Sequence, residues 1–109
     1  MLSIKEIEFI KEKLTEKFKP ERVILFGSQA RMDSDRNSDI DLLIITNPPH
    51  PYGNNNRRKL MVEMDRALKG LNYARDIIIL SSTEYERDRL IAGTIARYAF
   101  KEGKVIYGY

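Results

Sequence analysis

The sequence contains no cysteine and no tryptophan, and its only histidine is His50. Without cysteine, disulfide frameworks and all thiolate metal sites are excluded. A bound metal must therefore rely on oxygen ligands or on His50, and zinc is disfavoured because it prefers several histidine or cysteine ligands. Hard cations with oxygen ligands, such as Mg²⁺ or Mn²⁺, are the remaining candidates.

Long hydrophobic runs are also lacking, so the sequence predicts no membrane-spanning segment. The amino terminus leads directly into an amphipathic helix, not a secretory signal, which predicts a cytoplasmic protein. The 109 residues, of which 42% are hydrophobic, predict a single domain over residues 1–109. The formal net charge of +3 is a small excess among 32% charged residues, so it does not indicate direct nucleic-acid binding.

Hydrophobic periodicity predicts an alternation of helices and strands along this chain. Ser3 and Glu6 form a predicted capping box for a helix that ends near Lys19 and Pro20. Apolar, β-branched runs predict strands at 22–26, 39–46 and 75–80, with a short final strand at 104–107. Helical spacing predicts further helices over 57–69 and from Ser82 or Thr83 onward, the latter open to interruption at Gly93. The expected inner face of that last helix consists of Tyr85, Leu90, Ile91, Ile95 and Tyr98. This order predicts an α/β (α+β) fold, a small mixed β-sheet packed against helices.

Two aspartates lie one residue apart in the predicted second strand. Because strand side chains alternate between faces, Asp39 and Asp41 are expected to point the same way, with Cα atoms roughly 7 Å apart. Two such like charges repel unless a cation lies between them. Asp76, at the start of the third strand, is expected to reach the same site if the second and third strands are neighbours. Three carboxylates would suit one or two Mg²⁺ ions beside a substrate phosphate.

A glycine and a serine follow the first predicted strand. Gly27 allows backbone N–H groups to approach a phosphate closely, and Ser28 adds a hydroxyl donor. Arg31 is a candidate for neutralising phosphate charge at the same place. Each signal is weak alone, but the glycine-serine pair and the aspartate pair, each attached to its own apolar strand, together indicate metal-assisted nucleotide chemistry.

These motifs resemble those of minimal nucleotidyltransferases in the DNA polymerase beta-like superfamily. The matching segments are Phe26-Gly27-Ser28-Gln29-Ala30-Arg31, Ser38-Asp39-Ile40-Asp41-Leu42 and, more loosely, Ala74-Arg75-Asp76-Ile77-Ile78. Met32 departs from the family pattern, which often has glycine there. The resemblance implies a fold like the polymerase beta palm, with Asp39, Asp41 and Asp76 as catalytic metal ligands and Gly27, Ser28 and Arg31 binding the nucleotide.

The resemblance also implies an activity and a partner. The activity is Mg²⁺-dependent transfer of a nucleoside monophosphate, usually AMP from ATP, to an acceptor hydroxyl with release of pyrophosphate. Short members that resemble this chain are commonly antitoxins paired with a small helical toxin of the HEPN type, and some adenylylate a tyrosine of that partner. The resemblance leaves monomer and oligomer both open.

Other interpretations remain open at this stage. The chain could be a catalytically silent antitoxin that neutralises a helical toxin by binding alone, or it could transfer the nucleotide to a small molecule. Asp76 could simply pair with Arg75 or with another basic residue, and Arg31 could be an ordinary surface charge. The basic cluster 57–59 could bind a triphosphate or an acidic partner, although a solvated helix start is the simpler interpretation.

Overall fold

The computed structural model describes residues 2–27, 30, 39–47 and 56–108. Ser28, Arg31, Met32 and His50 lie outside these residues. The elements in chain order are α1 (Ile4–Phe18), β1 (Arg22–Phe26), β2 (Ile40–Thr46), α2 (Arg57–Ala67), β3 (Arg75–Ser81), α3 (Ser82–Asp88), α4 (Ile95–Glu102) and β4 (Lys104–Tyr107). None of the helices in the described ranges combines the length and the apolar character that crossing a bilayer requires.

Helix α1 begins at the predicted capping box. The Ser3 hydroxyl accepts the backbone N–H of Glu6 at 3.1 Å, and the Glu6 carboxylate accepts the N–H of Ser3 at 2.9 Å. The helix ends at Lys19, whose left-handed φ of 48° takes the chain out of the helix before Pro20. Proline disfavours the helical conformation in the residue before it, which explains the boundary.

The four strands form one sheet in the order β3-β2-β1-β4. Strand β1 is antiparallel to both β2 and β4, whereas β2 and β3 are parallel. The predicted mixed sheet is therefore confirmed. Strands β3 and β4 are the edges, so β1 and β2 are hydrogen-bonded on both sides.

Helices cover both faces of the sheet. On one face, alternate residues of β1, β2 and β3 pack against α1 and α2. The opposite face, which packs against α3 and α4, is formed by Ile24, Phe26, Leu43, Ile45, Ile78 and Leu80. By strand alternation, Asp41 and Asp76 belong to this second face, together with Leu43 and Ile78.

The carboxyl-terminal helical region differs from the sequence prediction. It forms two short helices, α3 and α4, because Gly93 adopts a φ of +91° between them and Thr94 caps α4. Tyr85 is buried as predicted, but Leu90, Ile91, Ile95 and Tyr98 are exposed, so the predicted inner face is wrong for these four. The residues of α4 that pack on the sheet are Ala96 and Ala99.

Candidate functional site

Three strand ends meet at one end of the sheet and bring two of the predicted carboxylates together. Because β1 and β2 are antiparallel, the last residue of β1, Phe26, is the register partner of Asp41 near the start of β2. Because β2 and β3 are parallel, Asp41 is in turn the register partner of Asp76. Register partners on adjacent strands point to the same face, so both carboxylates project from one end of the second face.

Gly27 determines how closely the end of β1 approaches Asp41. It is buried and has a φ of +77°, a conformation that disfavours residues with a Cβ. A Cβ built at this position would overlap with Asp41 Oδ2 and would lie 3.2 Å from Asp41 Cγ. The carboxylate therefore occupies the space that a side chain at position 27 would need. The carbonyl of Gly27 accepts the N–H of Ala30 at 3.1 Å.

Asp76 lies on the edge strand β3 and is exposed. Its neighbour Arg75 donates from Nε to Asp65 Oδ1 at 2.9 Å and from Nη1 to the carbonyl of Tyr73 at 3.1 Å. These bonds hold the Arg75 guanidinium against α2. Arg75 therefore pairs with Asp65. The simpler interpretation of Asp76 had paired Arg75 with Asp76 instead.

A shallow cavity of about 360 Å³ lies beside Asp76, between α2 and the edge of the sheet. Its walls include Met61 and Val62, which are among the exposed apolar residues of α2. Because α2 packs on the face of the sheet opposite to the one from which Asp41 and Asp76 project, this cavity borders the edge strand and does not lie between the two carboxylates.

Asp39 directly precedes β2 and is exposed, whereas Ile40 and Leu42 are fully buried, as the alternation predicts. The pairing of β2 with β3 begins next to Asp39, where Ile40 donates its N–H to the carbonyl of Ala74 at 2.9 Å. Asp39 therefore emerges at the same end of the sheet as Asp41 and Asp76.

The chemistry of these donors fits a hard divalent cation. Within the described ranges, no three His, Cys, Asp or Glu side chains are close enough to hold a metal ion on their own. Mg²⁺ does not require such a set, since it usually takes one or two carboxylates, keeps several waters and binds substrate phosphates. Asp41 beside Gly27, with Asp39 and Asp76 near it in the strand pattern, suits an ion that is completed by a nucleotide.

The basic cluster at the start of α2 lies elsewhere. Arg57 forms an ion pair with Glu84 Oε1 at 2.7 Å and donates to the carbonyl of Ile79 at 3.4 Å. Ile79 lies three residues beyond Asp76 along β3, about 10 Å away at strand spacing. Arg57 therefore joins α2 to the far end of β3. This position favours a structural role for Arg57, in the contact between α2 and β3, over triphosphate binding.

Tyr98 is a neighbour of the site; helical spacing placed it on the inner face of the last helix, although the spacing of the tyrosines left a core and a partner-facing position both open. It is 39% exposed, and its ring meets the ring of Phe26 edge-on with centroids 6.0 Å apart. The sequence pair Gly93-Thr94 could have predicted the exposed position of Tyr98. A glycine followed by a threonine N-cap, whose hydroxyl accepts the N–H of Arg97 at 3.1 Å, starts a new helix with a different inner face.

Three solved structures share the fold of this chain. One is the crystal structure of a toxin-antitoxin complex with AMP-PNP, with 22% identity, a TM-score of 0.59, and coverage of 94% of this chain and 73% of the other. A putative nucleotidyltransferase from Sulfolobus solfataricus has 24% identity, a TM-score of 0.61, and coverage of 96% and 82%. A mutant of the toxin-antitoxin pair MntA-HpeT has 19% identity, a TM-score of 0.55, and coverage of 94% and 73%. At these identities the similarity shows the fold.

The family comparison covers almost the whole chain. No curated protein matches the sequence. The family described as "Polymerase beta, Nucleotidyltransferase" matches residues 8–109, a range that contains every predicted site residue. The match agrees with the resemblance carried by the glycine-serine and aspartate motifs. The chain belongs to the polymerase beta nucleotidyltransferase family.

Proposed function

We propose that this chain transfers a nucleoside monophosphate, AMP from ATP, to a hydroxyl group of a protein partner in a Mg²⁺-dependent reaction. The observation that carries the proposal is the register of Asp41 with Asp76, beside a glycine that leaves room for the Asp41 carboxylate. Because the reaction consumes ATP, we place it in the cytoplasm.

Each residue has a distinct role in this proposal. Asp39 and Asp41 would hold Mg²⁺ together with the triphosphate, and the bound ion would supply neutralisation of the charge on the phosphates. Gly27, Ser28 and Arg31 bind the phosphates from the end of β1. Asp76 accepts the proton of the acceptor hydroxyl and completes the metal ligands, and its exposure on the edge strand allows a large acceptor to approach.

The reaction follows from these roles. The acceptor oxygen forms a bond to the α-phosphorus while the bond from that phosphorus to the bridging oxygen of pyrophosphate breaks. The hydroxyl proton passes to Asp76, and pyrophosphate leaves. The products are an AMP ester of the acceptor and pyrophosphate.

We propose that the acceptor is a small helical toxin of the HEPN type and that this chain is its antitoxin. The support is the fold shared with solved toxin-antitoxin structures, one of which contains AMP-PNP. The exposed position of Asp76 on the edge strand β3 would admit a side chain of such a partner.

Incubation with labelled ATP, Mg²⁺ and the product of the neighbouring gene tests the transfer. We expect label on the partner, and we expect Asp41→Ala and Asp76→Asn to lower the rate by about 100-fold or more because each removes a charged group at the reacting phosphate. Asp65→Asn is the matched control, since this carboxylate is nearby but pairs with Arg75 on the α2 side. No labelling, or undiminished labelling by Asp41→Ala, would contradict the proposal.

A catalytically silent antitoxin is the second candidate. It is favoured by one observation, namely that the segment between α3 and α4 exposes the apolar side chains of Leu90 and Ile91, a surface that a protein partner could cover. In that case the chain would inhibit the toxin by occlusion. Equal inhibition by Asp39→Ala and Asp41→Ala variants in the absence of nucleotide would select this candidate.

A further inference from the structure

A second cavity, of about 470 Å³, lies along the outer side of α4 and the segment before it. Its walls include Thr94, Ile95, Tyr98 and Lys101. Ile95 is 46% exposed and Tyr98 39% exposed, which leaves a large apolar and an aromatic side chain open to solvent on one flank of a short helix. Its volume falls within the range of small-molecule pockets, roughly 300–1,000 Å³.

This cavity adjoins the phosphate end of the candidate site. The Tyr98 ring packs edge-on against Phe26, with an angle of 73° between the ring planes. Phe26 is directly followed by Gly27 and is the register partner of Asp41. Tyr98 is thus in contact with the strand residue that adjoins both Gly27 and Asp41.

The sheet order sets the direction in which a nucleotide can extend. Asp76 lies on the edge strand β3, then come β2 with Asp41 and β1 with Phe26. Helix α4 packs on the same face as these carboxylates, over β1. In an in-line displacement the pyrophosphate lies opposite the acceptor, so an acceptor on the β3 side places the pyrophosphate over β1 at Gly27. The nucleoside is joined to the α-phosphorus across this axis, and where it extends away from the sheet face it meets α4.

We infer that the cavity beside α4 binds the base of the nucleoside triphosphate, with the base stacked on Tyr98 and flanked by Ile95. The inference rests on the proposed nucleotidyltransferase function and adds the position of the nucleoside to it. Aromatic side chains stack on bases of any sequence, since every base has a π-face. Thr94 and Lys101 supply polar groups at the cavity wall.

Calorimetric titration of the full chain with ATP and with inorganic tripolyphosphate, each with Mg²⁺, separates the base from the phosphates. We expect the wild type to bind ATP more tightly than tripolyphosphate. Tyr98→Ala should weaken ATP binding by about ten-fold, as expected for the loss of one stacked base, and should leave tripolyphosphate binding unchanged. Tyr98→Phe keeps the ring and should keep the ATP affinity.

Phe100→Ala is the matched control, because Phe100 is 45% exposed on the other flank of α4, where the Arg89 guanidinium lies 4.9 Å from its ring centroid. It should leave both affinities unchanged. Equal loss of ATP and tripolyphosphate binding in Tyr98→Ala would overturn the inference, because the residue would then act through the fold. Unchanged ATP affinity with loss of partner binding would also overturn it and would assign the surface to a protein.

Failure of the base site is distinguishable from failure of the proposed function. If wild-type chain binds ATP and tripolyphosphate equally tightly and still labels its partner, only the base site is overturned. If neither ligand binds, the base site and the nucleotidyltransferase proposal fail together.

Discussion

At the scale of single residues, the contact between Gly27 and Asp41 is the most constrained feature of the site. From the sequence, a glycine was expected at position 27 because it allows the backbone to approach a phosphate closely. The structure adds a second reason, which is that the Asp41 carboxylate fills the space where a Cβ would be. That reason could not be predicted from the sequence, because it depends on the register that places Phe26 opposite Asp41.

Gly27→Ala is expected to destabilise the fold and to impair Mg²⁺-nucleotide binding. The positive φ should cost about 1–2 kcal/mol, and displacement of the Asp41 carboxylate should add to this. Gly93→Ala is the matched stability control, since Gly93 also has a positive φ but a Cβ there would meet nothing within 4 Å. Urea unfolding measures both free energies.

A double-mutant cycle tests the origin of the extra cost. In the Asp41→Ala background the overlapping carboxylate is gone, so Gly27→Ala should cost no more than Gly93→Ala. Equal costs of Gly27→Ala in the two backgrounds would show that the carboxylate does not exert the proposed constraint.

At the scale of elements, the residues that join β3 to α3 show that a capping box is a strong local signal for the start of a helix. The structure starts α3 with a capping box, in which Ser81 accepts the N–H of Glu84 at 3.1 Å and Glu84 accepts the N–H of Ser81 at 2.8 Å. The sequence prediction placed this cap one or two residues later. The hydrogen bond from the Ser81 N–H has the largest effect on the pKa of Glu84 and lowers it. The Arg57 guanidinium lowers this pKa further, whereas burial raises it.

This lowered pKa predicts a pH-dependent contribution to stability. Because the pKa of Glu84 is lower in the folded than in the unfolded chain, its contribution is complete above the unfolded value of about 4.3 and declines as the pH falls through the folded value. The Tm of Glu84→Gln should therefore lie below that of the wild type near neutral pH, and the gap should close in acid.

Thermal unfolding from about pH 7 to about pH 3 measures this gap, over a range that spans the ordinary pKa of glutamate. Glu12→Gln, which changes an exposed carboxylate on α1, is the control and should show little difference at any pH. A Tm gap for Glu84→Gln that widens in acid would contradict the assigned direction of the pKa shift.

The division of the last helical region illustrates a limit of periodicity. Apolar residues continue at helical spacing through Gly93, so the pattern alone predicted one inner face for residues 85–98. The chain instead restarts at Thr94, and the restart turns Ala96 and Ala99 toward the sheet. Small residues on the inner face allow α4 to lie close to β1, and this leaves the larger Ile95 and Tyr98 exposed.

At the scale of the whole molecule, a mixed sheet with helices on both faces places Asp41 at one end of a central strand and Asp76 at the same end of the neighbouring edge strand. Strands β1 and β2 each have a hydrogen-bonded neighbour on both sides, whereas β3 and β4 each have one. The candidate site therefore has hydrogen-bonded strands on both sides of Asp41 and an exposed edge at Asp76, and this edge would leave room for the large acceptor of the proposed reaction.

Native-state amide hydrogen exchange should reflect this arrangement. We expect the slowest exchange in β1 and β2 and faster exchange in β3 and β4, because edge strands open without breaking the central pairing. Protection of β4 equal to that of β1 would contradict this order and would indicate that the sheet opens only as a unit.

Local patterns in the chain were sufficient for the strands, the first helix, the type of sheet and the family, because they are encoded in short-range alternation, capping residues and motif spacing. Tertiary structure alone decided that Asp76 is the register partner of Asp41, that Gly27 leaves room for a carboxylate, that Arg57 binds Glu84, and that Tyr98 faces outward. Each of these depends on how elements distant in sequence pack together, since strand order and register follow from burial of the whole core and not from any single segment.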